Sequence, residues 1–271
     1  MTDAADRVTV DIADGVADVR LNRPDKLNAL DAGMFQALID TSARLAEDNS
    51  VRVVVLSGEG RSFCAGLDFS NFQAMASDGP RSSSSVAESN DGRITHRGQQ
   101  AVWGWQEMPQ PVICAVSGHA LGGGFQLCLG GDIRIVHPDA KLSVLEMRWG
   151  LIPDMCASEL LPRLVGVDVA KELYFTGRMF DGAEADRLGI ATSLSDDPHA
   201  SAMELATTIA AQSPHAIRHA KSLVNQFGRV DTATAFANER RYMAELIGSP
   251  NQVEAVGAYF EKRPAVFADP T

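Results

Sequence analysis

Val112-Ile113-Cys114-Ala115-Val116-Ser117-Gly118-His119-Ala120-Leu121-Gly122-Gly123-Gly124-Phe125-Gln126 is the stretch on which the reading of this sequence turns. Its first five residues make a short apolar run bounded by turn signals, the mark of a buried strand. A helix is predicted to open at the glycines, which gathers unsatisfied amide donors at its positive end. Glycine also lets the backbone approach a ligand closely, and in a low-dielectric pocket such amides stabilise a developing oxyanion by about 3 kcal/mol per donor. Taken alone, the glycines fit tight helix–strand packing equally well. Other glycine-rich sites fail on spacing, for the chain has no GxxxxGK[ST], no GxGxxG after its first strand and no GxSxG elbow.

Outward from this stretch the same alternation continues. Residues 8–12 and 16–21 flank Asp14-Gly15 and read as a β-hairpin. Asp31 can cap a helix in which Met34, Leu38, Thr41 and Leu45 recur at helical spacing, ending near Asn49. Buried strands are predicted over 51–56, 112–116 and 133–136, so strands alternate with helices in an α/β domain with substantial parallel pairing. From about His199 the strand signals stop. Helical periodicity covers 199–212, 215–227 and 231–247, and Ser249-Pro250-Asn251-Gln252 carries a capping-box pattern for a fourth helix. The domain expectation is therefore an α/β body over 1–198 and a helical region over 199–271, which packs on that body or on a sister subunit. Residues 77–91 are Ser-rich and poor in apolar side chains, a surface loop or a cover over a site.

A chain of 271 residues with 45% hydrophobic composition can bury a sizeable core. Its formal charge of -11 argues against a nucleic-acid or anionic-membrane partner, since either favours a basic face. Cys64, Cys114, Cys128 and Cys156 form no CxxC pair and read as buried thiols, with neither a zinc site nor a redox dithiol. The first ten residues lack the pattern of a secretory signal, and no run approaches the roughly 18 apolar residues of a membrane span. A cytoplasmic protein is the default expectation.

A second glycine segment, Ser62-Phe63-Cys64-Ala65-Gly66-Leu67-Asp68, precedes the first. In order the chain then shows RPDKLNAL from Arg23, FCAGLD from Phe63, AVSGHALGGG from Ala115, Glu146 followed by GLIPD, LPRLVG and TGRMFDGAEADRLG. This succession resembles the crotonase (enoyl-CoA hydratase/isomerase) family over nearly the whole chain, and the ending YFEKRPAVF is similar too. The resemblance implies a spiral of ββα units with a C-terminal helical trimerisation region, assembled as a homotrimer or a dimer of trimers.

It also implies an acyl-CoA thioester substrate, with coenzyme A arriving on the substrate and no metal or redox cofactor. The oxyanion amides fall on Leu67 and Gly123. Ala65, Gly66, Asp68 and Gly122 line the acyl-CoA path beside Gln126, while Lys26, Leu27 and Ala29 lie near the nucleotide end. Lys26 meets a phosphate or is a solvated turn lysine. Leu67 is bulkier than the Ala common at its place, and Pro264 replaces a basic residue of the C-terminal motif.

The hydratases of the family use two glutamates. The first position here is Gln126, which cannot usefully accept a proton near neutral pH. The second is Glu146. Asp154 follows eight residues later, a spacing similar to that of the family's dienoyl-CoA isomerases, which usually carry a third acidic group where Gln126 stands. Two carboxylates on either side of an acyl chain can move a proton between carbons without adding water, a role favoured by pKa values raised through burial. The structural alternatives are an ion pair of Glu146 with Arg148 or Arg163, and Asp154 as the cap of a helix over 155–164. His119 reads as a satisfied structural histidine. Trp103, Trp105, Met108, Met147 and Trp149 build either core or an acyl tunnel. The leading expectation is double-bond isomerisation of an enoyl- or dienoyl-CoA by Glu146 and Asp154. The alternatives are hydration of a trans-2-enoyl-CoA and a non-catalytic acyl-CoA binder.

Overall fold

The structure is a computed structural model that describes residues 7–68 and 92–271; the Ser-rich stretch 77–91 lies outside the described residues. Strands β1 (Val8–Ala13) and β2 (Val16–Leu21) pair antiparallel from Val8↔Leu21 to Ala13↔Val16. Both turn residues, Asp14 at φ 51° and Gly15 at φ 79°, are left-handed, the demand of a two-residue primed turn. Asp31 caps α1 (Ala32–Glu47) by accepting from the Met34 amide, and Met34, Leu38, Thr41 and Leu45 form its buried stripe.

Parallel pairing extends the sheet from β2 through β3 (Val53–Gly58), β4 (Val112–Val116), β6 (Ile133–Val136) and β9 (Ser193–Leu194), giving the order β1-β2-β3-β4-β6-β9. A second sheet holds β5 (His119–Leu121), β7 (Lys141–Ser143) and β8 (Phe180–Asp181) in the order β5-β7-β8. From β4 onward the chain crosses repeatedly between the sheets, at β4 to β5, β5 to β6, β6 to β7 and β8 to β9, and so winds as a spiral.

The helices of the body are α2 (Arg97–Glu107), α3 (Gly123–Leu129), α4 (Ala157–Val165), α5 (Val167–Thr176) and α6 (Gly182–Arg187). Strand β3 is buried on both faces. Val54 and Leu56 join the main core with Leu38, Trp105 and Phe125, while Val53 and Val55 face a second cluster. That second cluster is closed by α7 (Pro198–Ala210), whose Ala202, Ala206 and Ala210 recur every four residues and let the helix lie close on the sheet. The first helix of the 199–271 region is therefore part of the body's packing. The remaining helices are α8 (Pro214–Asn225), α9 (Thr232–Leu246) and α10 (Pro250–Glu261).

Ser249 caps α10 by accepting from the Gln252 amide, but the Gln252 side chain accepts from Gly248, one residue before the cap. All four cysteines are buried and unpaired, and burial pushes the Cys64, Cys114 and Cys156 thiols up to about 12. Among the described residues no helix is long and apolar enough to cross a membrane.

Candidate active site

The two glycine segments lie side by side. Bridges Cys64↔Ala120 and Leu30↔Leu67 continue the second sheet, held by Cys64 N to His119 O at 2.8 Å, Leu121 N to Cys64 O at 3.1 Å and Leu30 N to Gly66 O at 2.8 Å. Gly66 has φ 90°, and a Cβ there would stand 2.5 Å from the Leu121 carbonyl and 3.6 Å from the Gly123 nitrogen. A Cβ on Gly124 would collide with the Cys64 carbonyl. Close backbone approach is thus why both segments need glycine. The amides of Leu67 and Gly123 donate to no acceptor among the described residues, which leaves two donors beside each other at the mouth of α3. Such donors can hold a developing oxyanion.

Beyond the glycines, Gln126 is buried and saturated. Its Nε2 donates to Glu146 Oε1 at 2.7 Å, and its Oε1 accepts from Met155 N at 2.7 Å and Ala157 N at 3.4 Å. These bonds settle the amide's orientation, and they tie the turn Leu145–Trp149 to the loop before α4. Glu146 keeps its second oxygen, Oε2, buried without a partner among the described residues. Burial raises its pKa above the ordinary carboxylate value, the bond from Gln126 opposes this, and the charge of Asp154 adds to the rise. Burial likewise raises Asp154, opposed by His96, whose Nε2 stands 3.8 Å from Asp154 Oδ2. His96 is itself held, since its Nδ1 accepts from Gly98 N and its Nε2 faces the Asp154 carbonyl at 3.1 Å.

Neither structural alternative for the two carboxylates holds. Glu146 is bonded to Gln126, and Arg163 pairs with Glu159 instead. Helix α4 begins at Ala157 behind Cys156, which sits at φ 75°, so the expected cap at Asp154 and start at 155 are corrected. Glu146 lies against the glycines, its Oε1 3.3 Å from where a Gly122 Cβ would be, and Asp154 is the more exposed of the pair at 46%. A carboxylate with raised pKa beside such amides can abstract and return a proton at a carbon whose neighbouring carbonyl is polarised.

At the other end of the cradle, Lys26 is exposed on the short helical turn Pro24–Lys26, Leu27 is half-buried and Ala29 is buried. Leu27 and Asn28 are both left-handed, at φ 50° and 57°. Asn28, fully buried, stabilises that bend by donating to the Glu59 and Ser62 carbonyls and accepting from Arg23 N. Asp68 is not a free charge, for Arg23 pairs with it at 2.5 Å and also reaches the Ala29 carbonyl. Ala65 donates to the Leu27 carbonyl, so the structure brings residues 27–29 and 65–68 together. His119 bonds Ser62 Oγ at 2.9 Å, as a structural histidine does. Trp105 and Met108 are core, whereas Met147 and Trp149 are exposed near the Glu146 turn.

Residues 11–270 match the enoyl-CoA hydratase/isomerase family. The chain belongs to that family.

Among its relatives, the mitochondrial enoyl-CoA hydratase domain-containing protein 2 of Bos taurus is 34% identical over 92% of this chain and 83% of its own. The mitochondrial methylglutaconyl-CoA hydratase of Mus musculus is 32% identical over 92% of this chain and 78% of its own. The crystal structure of an enoyl-CoA hydratase from Bacillus anthracis superposes with TM-score 0.87 at 31% identity, covering 96% of this chain and 98% of that one. One from Mycobacterium smegmatis gives 0.83 at 30% identity, over 96% and 98%. The crotonase-type α/β spiral expected from the sequence is thus the fold, and the family acts on acyl-CoA thioesters.

Sequence reasoning missed several residues that build this site. Asn28 and Arg23 lie inside a motif that was read, yet their work is to buttress loops, which spacing does not display. His96 and Met155 are brought in by tertiary contact alone, Met155 with its Sδ 3.0 Å from where a Gly123 Cβ would be.

Proposed function

We propose that this member of the enoyl-CoA hydratase/isomerase family shifts double bonds of an enoyl- or dienoyl-CoA by proton transfer between Glu146 and Asp154, with the thioester oxygen held by the Leu67 and Gly123 amides. The observation that carries this reading is the carboxylate of Glu146: buried, raised in pKa, bonded on one oxygen and open on the other, with the Asp154 charge bearing on it. Gln126 supports it in a different way. Both ends of its amide are engaged, so it orients Glu146 and serves neither as a base nor as a holder of substrate. Ala65, Gly66 and Gly122 then border the thioester, and Lys26, Leu27 and Ala29 receive the nucleotide. The chemistry uses no metal or redox cofactor.

Hydration of a trans-2-enoyl-CoA is the second reading, favoured by the hydratase names of relatives at 32–34% identity. The test is ultraviolet spectroscopy of the protein with a 3,5-dienoyl-CoA and, separately, a trans-2-enoyl-CoA. Growth of conjugated 2,4-dienoyl absorbance without bleaching of the enoyl band supports isomerisation. Bleaching of the enoyl band makes the protein a hydratase. Glu146→Gln and Asp154→Asn are each expected to lower kcat by roughly 10²–10⁴ while CoA-ester binding is retained. Full turnover in both would sink the assignment, and binding without turnover in the native protein would leave an acyl-CoA binder.

We further propose a homotrimer or a dimer of trimers built through the C-terminal helices. No residue of α9 is buried, and Phe227, Phe236, Ile247 and Phe260 of the C-terminal helical region are exposed, as an interface awaiting a second copy would be.

A further inference from the structure

The last turn of α5 and the turn that carries Glu146 are one packed unit. Ser143 Oγ donates to the Gly177 carbonyl at 3.0 Å. Gly177, at φ 52°, comes so close that a Cβ there would stand 3.2 Å from the Val144 carbonyl and 3.5 Å from Met147 Cβ. Tyr174 lies one turn before Gly177. Its phenol oxygen is buried and has no hydrogen-bond partner among the described residues, and the same is true of Glu146 Oε2. The two are chemically complementary, since a phenol has one O–H to donate and a carboxylate oxygen only accepts. A buried polar atom left unpaired costs about 1–3 kcal/mol, so one contact that satisfies both removes two such penalties. Burial, with the Glu146 charge adding to it, raises the Tyr174 pKa above the ordinary phenol value, so the phenol keeps its proton and stays a donor through the neutral range.

We propose that Tyr174 is a positioning residue for Glu146: its hydroxyl holds Oε2 across one bridging water, keeping the carboxylate ionised and aimed into the site. The proposal rests on the reading of Glu146 as a proton-transferring base. Three side chains from three elements bear on that carboxylate. Gln126 on α3 is neutral and bonded to Oε1, Asp154 in the loop before α4 repels the charge, and Tyr174 on α5 carries a buried phenol, unpartnered among the described residues, within range of that charge. Burial and Asp154 both push the Glu146 pKa up, so a donor on Oε2 opposes them and brings the base back toward a useful ionisation. Removing only the hydroxyl should therefore make Glu146 easier to protonate.

The experiment is an infrared pH titration of the full-length protein, with the protonated-carboxyl band of Glu146 assigned by its loss in Glu146→Gln. In Tyr174→Phe the midpoint of that band should rise by about one pH unit, the shift expected for loss of one hydrogen bond to a charged group. The acid limb of kcat/KM should rise with it, using whichever thioester is turned over. Tyr242→Phe, which removes a phenol bonded to Ser222 at 2.9 Å, should leave both unmoved. Should Tyr174→Phe not fold, 3-fluorotyrosine at position 174 keeps the ring, is the stronger donor, and must lower the midpoint. An unchanged midpoint in the variant that folds overturns the proposal. The infrared readout needs no turnover, so a protein silent toward every thioester would sink the catalytic reading alone.

Discussion

Gln126 stands where a carboxylate would most change this site. Its Nε2 donates to Glu146 Oε1 at 2.7 Å, and its Oε1 accepts from the Met155 and Ala157 amides. Gln126→Glu keeps the acceptor for those amides but turns the donor into a second negative charge against Glu146. Two carboxylates at that distance cannot both ionise, and the amides favour charge on residue 126, so Glu146 takes the proton. The folded state then binds a proton more tightly than the unfolded chain. Its extra stability is present below the unfolded carboxylate pKa and is lost as pH rises through the raised folded value. The stability gap between wild type and variant should thus be wider at pH 8 than at pH 5 by urea unfolding. The acid limb of kcat/KM should move up by about a pH unit or more. Superimposable profiles would mean that the Gln126–Glu146 bond does not govern the ionisation of Glu146.

At the scale of elements, the decisive contacts are backbone against backbone. A Cβ on Gly124 would meet the Cys64 carbonyl, and no side-chain rotation can relieve that. Gly124→Ala should cost about 1–3 kcal/mol, by urea midpoint, as α3 is pushed off the 64–67 segment. On the proposed oxyanion role it should also lower turnover sharply, because the Gly123 and Leu67 segments would be pushed apart; native stability in this variant would show that the segments are not packed as described. Asp31 ties another pair of elements together. It caps α1 and pairs with Arg7 at 2.8 Å. Although its burial alone would raise its pKa, the Arg7 bond and the Met34 amide hold the carboxyl below its ordinary value. Its contribution is therefore present above about pH 4 and lost as pH falls through the lowered folded value. Asp31→Ala should cost about 1–2 kcal/mol at pH 7 and progressively less in acid, a difference followed by the midpoint of thermal unfolding.

The same contacts explain what could be read in advance. Strands β3, β4 and β6 are dense in Val and Ile because both faces are covered, and the sequence shows them directly. Strands β5, β7, β8 and β9 have two or three residues each, and their extended state comes from a partner distant in sequence. Helix α2 was invisible for a related reason. It carries Gly98 and Gly104, which weaken helical propensity, yet a Cβ on Gly104 would strike Ser42 Oγ, so the glycine is what lets α2 lie against α1. The glycine segments and Glu146 were legible as motifs. The Gln126 hub was not, since it joins residues from turns and helices that meet only after folding.

At the scale of the molecule, the C-terminal helices pose the remaining problem. Helix α7 is settled on the sheet by its row of alanines, but α9 buries none of its residues. Phe236, Met243 and Ile247, spaced seven and four apart, share one side of α9 and are all more than half exposed. Phe227, after α8, and Phe260, on α10, are exposed as well, at 82% and 77%. An apolar surface on that scale in water favours association, and each large side chain covered would contribute about 1.5–3 kcal/mol. If three copies cover it, sedimentation equilibrium should give a mass near three, or six, times the 29.0 kDa of one chain. The double variant Met243→Glu and Ile247→Glu places two charges one helical turn apart in the middle of the surface. Burying them unpaired would cost several kcal/mol, so the variant should sediment as a 29.0 kDa monomer while its far-ultraviolet dichroism shows that the α/β body has folded. A wild-type protein that is monomeric at micromolar concentration would overturn the assembly, whereas a charged variant that still assembles would place the interface on some other face of the molecule.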